Sequence, residues 1–266
     1  MYFRFPSLLR AGSLLLIGVA TGLASGPAVL RVCADPNNLP FSNEQGQGFE
    51  NKLAEVVAAK LGAKLEYTWW SQRKSFIKNS LDAGRCDALM GIPTALDTVA
   101  VTRPYYKSTY VFVSRRDRNL RVTSLEDPRF SQWRIGVPVV GEDYAPPAAA
   151  LARRGITSNL VGFSLFGAYD EPNPARKIVD AVARGEIDIA IVWGPFAGYF
   201  AKQEPVPLDI SPVSPAMFLA VPFTYDISVG VRKDNQALRA ALDQVLQSES
   251  EAIEEILDRY GVPEVH

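Results

Sequence analysis

Residues 29–92 read VLRVCADPNNLPFSNEQGQGFENKLAEVVAAKLGAKLEYTWWSQRKSFIKNSLDAGRCDALMGI, and this stretch decides the fold. Val29 to Asp35 is a short β-type run stopped by Pro36, followed by the polar, proline-broken loop Asn37-Asn38-Leu39-Pro40-Phe41. From Phe49 to Leu61 the apolar residues Phe49, Leu53, Val56, Val57 and Leu61 recur at helical spacing, with Glu50, Lys52, Glu55 and Lys60 mostly on the opposite, solvent side. Gly62 stops that helix. Lys64 to Trp70 is a second strand, Phe76 to Ala83 a second helix ended by Gly84, and Cys86 to Ile92 a third strand. A β-α-β-α-β run with short, right-handed crossovers implies a parallel sheet in which the first strand lies between the second and third. Cys33 and Cys86 then fall on neighbouring strands.

The same pattern restarts downstream, with strands at Trp133 to Val137, Asn159 to Phe163 and Ile187 to Trp193 and helices at Ala148 to Arg154 and Ala175 to Ala183. Between the units, Tyr110 to Ser114 is β-rich and leads into the charged Arg115-Arg116-Asp117-Arg118, while Val206 to Phe223 leads back into Ile227 to Val231. Both read as crossing segments. The amphipathic stretch Gln236 to Tyr260, with Leu238, Leu242, Val245 and Leu246 on one face and a Gly261-Val262-Pro263 stop, returns to the first unit. The expected architecture is therefore α/β and two-lobed, residues 28–114 plus 225–266 forming one lobe and 115–224 the other. Two crossing strands between them make the hinge used when domains close on a ligand.

Composition narrows the function. At 47% hydrophobic and 21% charged residues the chain is globular rather than disordered. Met1 to Ala24 has a basic start (Arg4, Arg10), an apolar stretch from Leu14 to Ala20 and the small residues Gly22 and Ala24, the pattern of a cleaved export signal. Its apolar run is shorter than the ~20 residues needed to span a bilayer. Removing Arg4 and Arg10 from the 28 basic residues leaves 26 against 29 acidic ones, a formal −3, which offers no footprint for nucleic acid or an anionic membrane. Two cysteines in an exported chain point to a Cys33–Cys86 disulfide, the alternative being two buried thiols. The single histidine is His266, the last residue, so imidazole general-base catalysis, Ser-His or Cys-His nucleophile pairs and histidine metal sites are nearly excluded.

Gly48-Phe49-Glu50, Gly84-Arg85-Cys86-Asp87, Thr94, Pro104-Tyr105-Tyr106 and Gly185-Glu186-Ile187-Asp188 occur in the order found in type II periplasmic solute-binding proteins of the amino-acid branch, which the mature chain resembles throughout. VCADPNNLPFSNEQGQGFENKLAEVVA, TWWSQRKSFIKNSLDAGRCDALMGIP and ARGEIDIAIVWGPFAGYFA further resemble the binding proteins associated with quinoprotein dehydrogenases, the MoxJ/XoxJ type encoded beside pyrroloquinoline-quinone (PQQ)-dependent methanol dehydrogenases. The resemblance implies a periplasmic, non-catalytic accessory or maturation factor whose partner is a PQQ-dependent alcohol dehydrogenase. It implies no cofactor in the chain itself, and a monomer when alone. The competing readings are an importer's solute-binding subunit for a small polar solute and, with less support, a carboxylate enzyme on the same fold.

Amino-acid importers of the superfamily carry an arginine three residues after the position of Thr94 to grip the ligand carboxylate; here that position is Asp97. They also place an aspartate after the second-lobe strand, where Ile191-Val192 here runs into Trp193-Gly194-Pro195. Ligands of open α/β sheets lie beyond the carboxyl ends of the strands. The expected cleft segments are therefore Asn37 to Phe41, Trp69 to Lys74, Pro93 to Asp97, Gly141 to Tyr144 and Trp193 to Phe196. Within them Asn37, Asn38, Phe41, Trp70, Arg73, Thr94, Asp97, Glu142, Asp143, Tyr144, Trp193 and Phe196 are the candidate contacts for the partner or for a small polar or aromatic ligand. Strand alternation allows only one of Trp69 and Trp70 to face the cleft. Asp97, Glu142 and Asp143 lack the regular ligand spacing of a hard-cation site, and Gly141-Glu142-Asp143 reads instead as polar caps at a helix start.

Overall fold

The computed structural model describes residues 28–73, 75–140, 143–166 and 171–265. The leader at 1–24, Lys74, Gly141, Glu142 and His266 lie outside them, as do the side chains of Asp143 and Tyr144.

In the first lobe β1 (Val29–Ala34) lies between β2 (Lys64–Trp69) and β3 (Ala88–Pro93), parallel to both, as the crossover rule requires. Helix α1 (Phe49–Leu61) buries Phe49, Leu53, Ala54, Val57 and Ala58 on the sheet and ends at Gly62, whose φ of 65° closes the last turn in the left-handed region. Cys33 and Cys86 are disulfide-bonded, with Cα atoms 5.5 Å apart. Such a link commonly contributes about 2–4 kcal/mol by restricting the unfolded chain.

The helix read at Phe76 to Ala83 shrinks to one turn, α2 (Phe76–Asn79). Ser80 Oγ donates to the Phe76 carbonyl at 2.6 Å, and side-chain bonding of this kind competes with helix continuation. Strand β4 (Tyr106–Arg115) is twice the length read from sequence and belongs to both lobes. Its residues 106–109 pair with residues 224–227 of the returning strand, whereas 110–114 pair antiparallel with residues 189–193.

The second lobe continues with β5 (Ile135–Val140), α3 (Pro146–Arg153), β6 (Leu160–Ser164), α4 (Arg176–Ala183), β7 (Ile189–Trp193), α5 (Gly194–Ala201) and β8 (Leu208–Pro212). The chain returns through β9 (Thr224–Val231), whose residues 227–231 run antiparallel to β3. One hydrogen-bonded path thus runs β6-β5-β7-β4-β9-β3-β1-β2, and its two half-sheets meet at the crossing pair β4–β9.

Each half-sheet has an apolar cluster on both faces. Strand alternation assigns them: Val111, Val113, Ala190 and Val192 pack with α4 and α5, and Phe112, Ile189 and Ile191 pack with Phe130 and Leu151 on the other side. The C-terminal stretch is two helices rather than one, α6 (Gln236–Ser248) and α7 (Ser250–Tyr260), turning at Glu249. Leu242, Leu246, Ile253 and Leu257 all remain in the first-lobe core with α1, so the turn wraps the apolar face around that core.

Candidate functional site

A cavity of about 430 Å³ lies between the lobes at the carboxyl ends of their strands. The first lobe supplies Asn38, Phe41, Glu50, Gln72, Gly91 and Pro93; the crossing strands supply Tyr106, Tyr110, Tyr225 and Ile227; the second lobe supplies Leu165, Phe166, Trp193 and Phe196.

The loop after β1 is shaped by Asp35, only 4% exposed, whose carboxylate accepts from Asn37 N at 2.8 Å and from Gln72 N at 2.6 Å. One side chain thereby ties the loops after β1 and β2 together. Asn38 Nδ2 donates to Gln72 Oε1 at 2.8 Å, which places both amides in the wall. Phe41 packs edge-on against Phe196 across the lobes at 5.0 Å, and tilts against Phe49 at 5.2 Å. From the second lobe, Trp193 meets Tyr110 at 5.4 Å and Tyr225 at 5.7 Å. Trp193 caps α5, so the segment read as a loop, Trp193 to Phe196, is a strand end and a helix start with Pro195 in the first turn.

Glu50 lines the cavity, contrary to its solvent-side assignment on the helical wheel. It sits in the first turn of α1, the turn that faces the cleft. Its carboxyl abuts the backbone of Gly91: a Cβ there would lie 2.0 Å from Glu50 Oε1. Gly91 holds a φ of 68° in mid-strand, a conformation that glycine adopts without strain, and its N–H donates to Tyr105 Oη at 3.2 Å. The residue keeps some exposed surface, and burial of its carboxyl raises the pKa from 4.5 to about 8. Burial also raises Tyr105, Tyr106, Tyr110 and Tyr225, with Tyr67 nearby pushed up to about 12, so every one of these hydroxyls is neutral at physiological pH.

Of the sequence candidates, Asn38, Phe41, Trp193 and Phe196 come together on this cavity. Asn37 instead bridges the lobes, its Nδ2 donating to the Glu171 carbonyl at 2.7 Å and its Oδ1 accepting from Asn173 N at 3.2 Å. Trp70 is away from the cavity, under the Arg85 guanidinium at 4.6 Å and against the cluster that contains Cys33 and Cys86. Trp69 stacks on Tyr67 at 4.6 Å on the opposite face, so neither tryptophan lines the cavity and alternation merely divides them between two packing surfaces.

Arg73 lines an adjoining recess of about 450 Å³ with Phe76 and Lys78. Thr94 is engaged by the hinge, its Oγ1 2.7 Å from Ser228 Oγ and 3.1 Å from the Asp226 carbonyl. Asp97 is exposed and lies outside the cavity lining. Asp143 and Tyr144 form a two-residue strand against Val139 and Val140, and Glu142 lies outside the described residues. Among the described residues no group of three or more His, Cys, Asp or Glu side chains is placed to hold a metal ion.

Glu50, Gln72, Tyr110 and Tyr225 were not singled out from the sequence. A lone glycine inside the strand CDALMGI was the one local sign of a close approach, since mid-strand glycine marks a bulge or a neighbour against the backbone.

The family model for bacterial extracellular solute-binding proteins, family 3, matches residues 30–263. Protein MoxJ of Paracoccus denitrificans is 31% identical over 281 aligned residues, covering 99% of this chain and 98% of that protein. Among solved structures, MxaJ from Methlophaga aminisulfidivorans MPT superposes with a TM-score of 0.79 at 27% identity, over 89% of this chain and all of that one. The periplasmic binding protein XoxJ from Methylobacterium extorquens AM1 gives 0.73 at 34% identity, over 90% of this chain and all of that one.

Proposed function

Because the chain belongs to family 3 of the bacterial extracellular solute-binding proteins, we propose that it is a periplasmic, non-catalytic binding protein of the MoxJ/XoxJ type that acts as an accessory or maturation factor for a PQQ-dependent alcohol dehydrogenase. The leader at 1–24 is removed on export, and the lobes divide as residues 28–114 with 225–266 and residues 115–224, hinged within β4 and β9. The partner engages the cleft between them.

The observation that carries this reading is the cavity lining: among the described residues it has aromatic side chains from both lobes and no lysine or arginine. A free amino acid needs a cationic clamp for its carboxylate. The clamp position is the exposed Asp97, and Trp193-Gly194 stands where the second acid belongs. Large aromatic residues at a cleft mouth instead suit a protein segment, with Phe41, Trp193 and Phe196 as anchors. Asn37 and Asn38 hold the shape of that mouth, while Arg73 lines the adjoining recess and Thr94 ties to the crossing strand.

Capture from periplasm with the tagged mature protein is expected to enrich a PQQ-dependent dehydrogenase. Trp193→Ala, folded by circular dichroism, is expected to weaken the complex by ~2 kcal/mol, about thirtyfold. Capture of no quinoprotein, or equal binding by the folded variant, contradicts engagement through the cleft. Recovery of a permease and its ATPase favours the importer reading.

A further inference from the structure

The lobes touch along one flank as well as across the cleft. Helix α5 belongs to the second lobe through Phe196, Ala197 and Phe200, which are buried in that lobe's core with α4. Its other face carries Gly194, Gly198 and Lys202 at i, i+4 spacing and lies against the end of α7 and the tail that follows it, both part of the first lobe. Glycine inside a helix costs about 1 kcal/mol against alanine, and a close approach accounts for Gly198. A Cβ there would lie 1.8 Å from the Gly261 carbonyl oxygen, and one at Gly194 would lie 2.7 Å from the Thr109 carbonyl oxygen. The backbones of the two lobes are in direct contact.

Polar groups and rings fasten the same flank. Lys202 Nζ donates to the Asp258 and Arg259 carbonyls at 3.1 and 3.4 Å, so a cation of one lobe caps the negative end of a helix of the other. Tyr199 stacks on Tyr260 at 5.7 Å, and the Tyr260 hydroxyl is braced in the first lobe, donating to the Gln47 carbonyl at 2.6 Å. The tail beyond α7 is strapped to β4: Ser108 Oγ donates to the Pro263 carbonyl at 2.6 Å and Val265 N to the Lys107 carbonyl at 3.2 Å.

We propose that this α5–α7 contact is a latch that fixes the angle between the lobes, with Gly198 as the residue that lets it close. A rotation of the second lobe about the crossing pair β4–β9, the motion of hinged domains, swings the far end of α5 off α7. That parting breaks the Lys202 cap and the ring stack and uncovers the glycine face together, because close-packed surfaces separate rather than stretch. At the mouth, the Asn37 bonds to Glu171 and Asn173 and the Phe41–Phe196 ring pair span the same two lobes. The protein's own contacts thus hold the cleft at a set width, and what enters meets a preformed opening. The inference concerns the isolated protein and stands apart from the accessory role, so either can fail without the other.

Small-angle X-ray scattering on the mature protein, with folding checked by circular dichroism and molecular mass by forward scattering, tests this. The parent is expected to give the radius of gyration of the structure, near the ~18 Å of a compact chain of this length. Tyr199→Ala/Lys202→Ala removes the ring and the cap at positions that are not buried; it is expected to stay folded and monomeric and to raise the radius by on the order of 1 Å as the lobes part. Gly198→Ala, whose methyl group meets backbone, is expected to raise it at least as far; if that variant does not fold, the double variant decides alone. A parent already expanded by on the order of 1 Å or more, or a folded double variant with the parent's radius, overturns the proposal.

Discussion

Replacing Gly48 by alanine is expected to destabilise the protein by about 3 kcal/mol, the upper end of what overpacking costs, although glycine is not needed there for its backbone angles. Gly48 has a φ of −81° and a ψ of 157°, open to any residue. Space is the constraint. A Cβ at this position would lie 1.9 Å from the Phe41 carbonyl oxygen, 2.3 Å from its carbon and 2.5 Å from Ser42 N. All three are backbone atoms, so no rotamer change relieves the clash. The loop is also held to α1 by hydrogen bonds from Phe49 N to the Pro40 carbonyl and from Glu50 N to the Phe41 carbonyl, at 2.8 and 2.9 Å. Either these bonds break or the loop moves with Phe41, which removes an aromatic wall from the cavity. A thermal melt of the variant should fall by about 6–12 °C, at roughly 2–4 °C per kcal/mol for a chain of this size. A melt within about 1 °C of the parent contradicts the close approach.

Glu50→Gln is expected to stabilise the protein at pH 8. Burial raises the carboxyl from 4.5 to about 8, so the folded state holds a proton through a window in which the unfolded chain has lost it. Stability associated with that proton is fully present below about pH 4.5 and is lost as pH rises through 8. The full shift would correspond to more than 4 kcal/mol at ~1.36 kcal/mol per unit; discounted for the exposed surface the residue keeps, about 2 kcal/mol is expected at pH 8. Denaturant titrations of both proteins at pH 4.5 and pH 8 should show curves that coincide at the lower pH and separate at the higher. A variant less stable than the parent at pH 8 contradicts an uncompensated carboxyl.

The order of elements was legible because period-2 and period-3.6 patterns are separated by Gly62, Gly84 and Pro36, and because right-handed crossovers leave one place for β1. The disulfide followed from that order. Periodicity failed where a side chain's neighbours come from distant chain. Glu50 shares the polar face with Lys52 and Glu55, yet the first turn of α1 projects over the cleft while the later turns meet solvent. Trp70 looked like a cleft residue because it follows β2, but Arg85 and the disulfide cluster claim its ring. Tyr106 to Thr109 were missed as strand because their pairing partner, 224–227, is more than a hundred residues away. The aromatic seam joining Phe41 to Phe196 and Trp193 to Tyr225 is likewise a product of lobe apposition that no local pattern encodes.

The accessory role is tested most directly by an in-frame deletion of the gene, with dehydrogenase protein quantified immunologically and its specific activity measured in the same periplasmic extracts. The account predicts that the PQQ-dependent dehydrogenase accumulates but is at least about tenfold less active, equivalent to ~1.4 kcal/mol or more, and that the intact gene restores activity. Full specific activity in the deletion strain would contradict it.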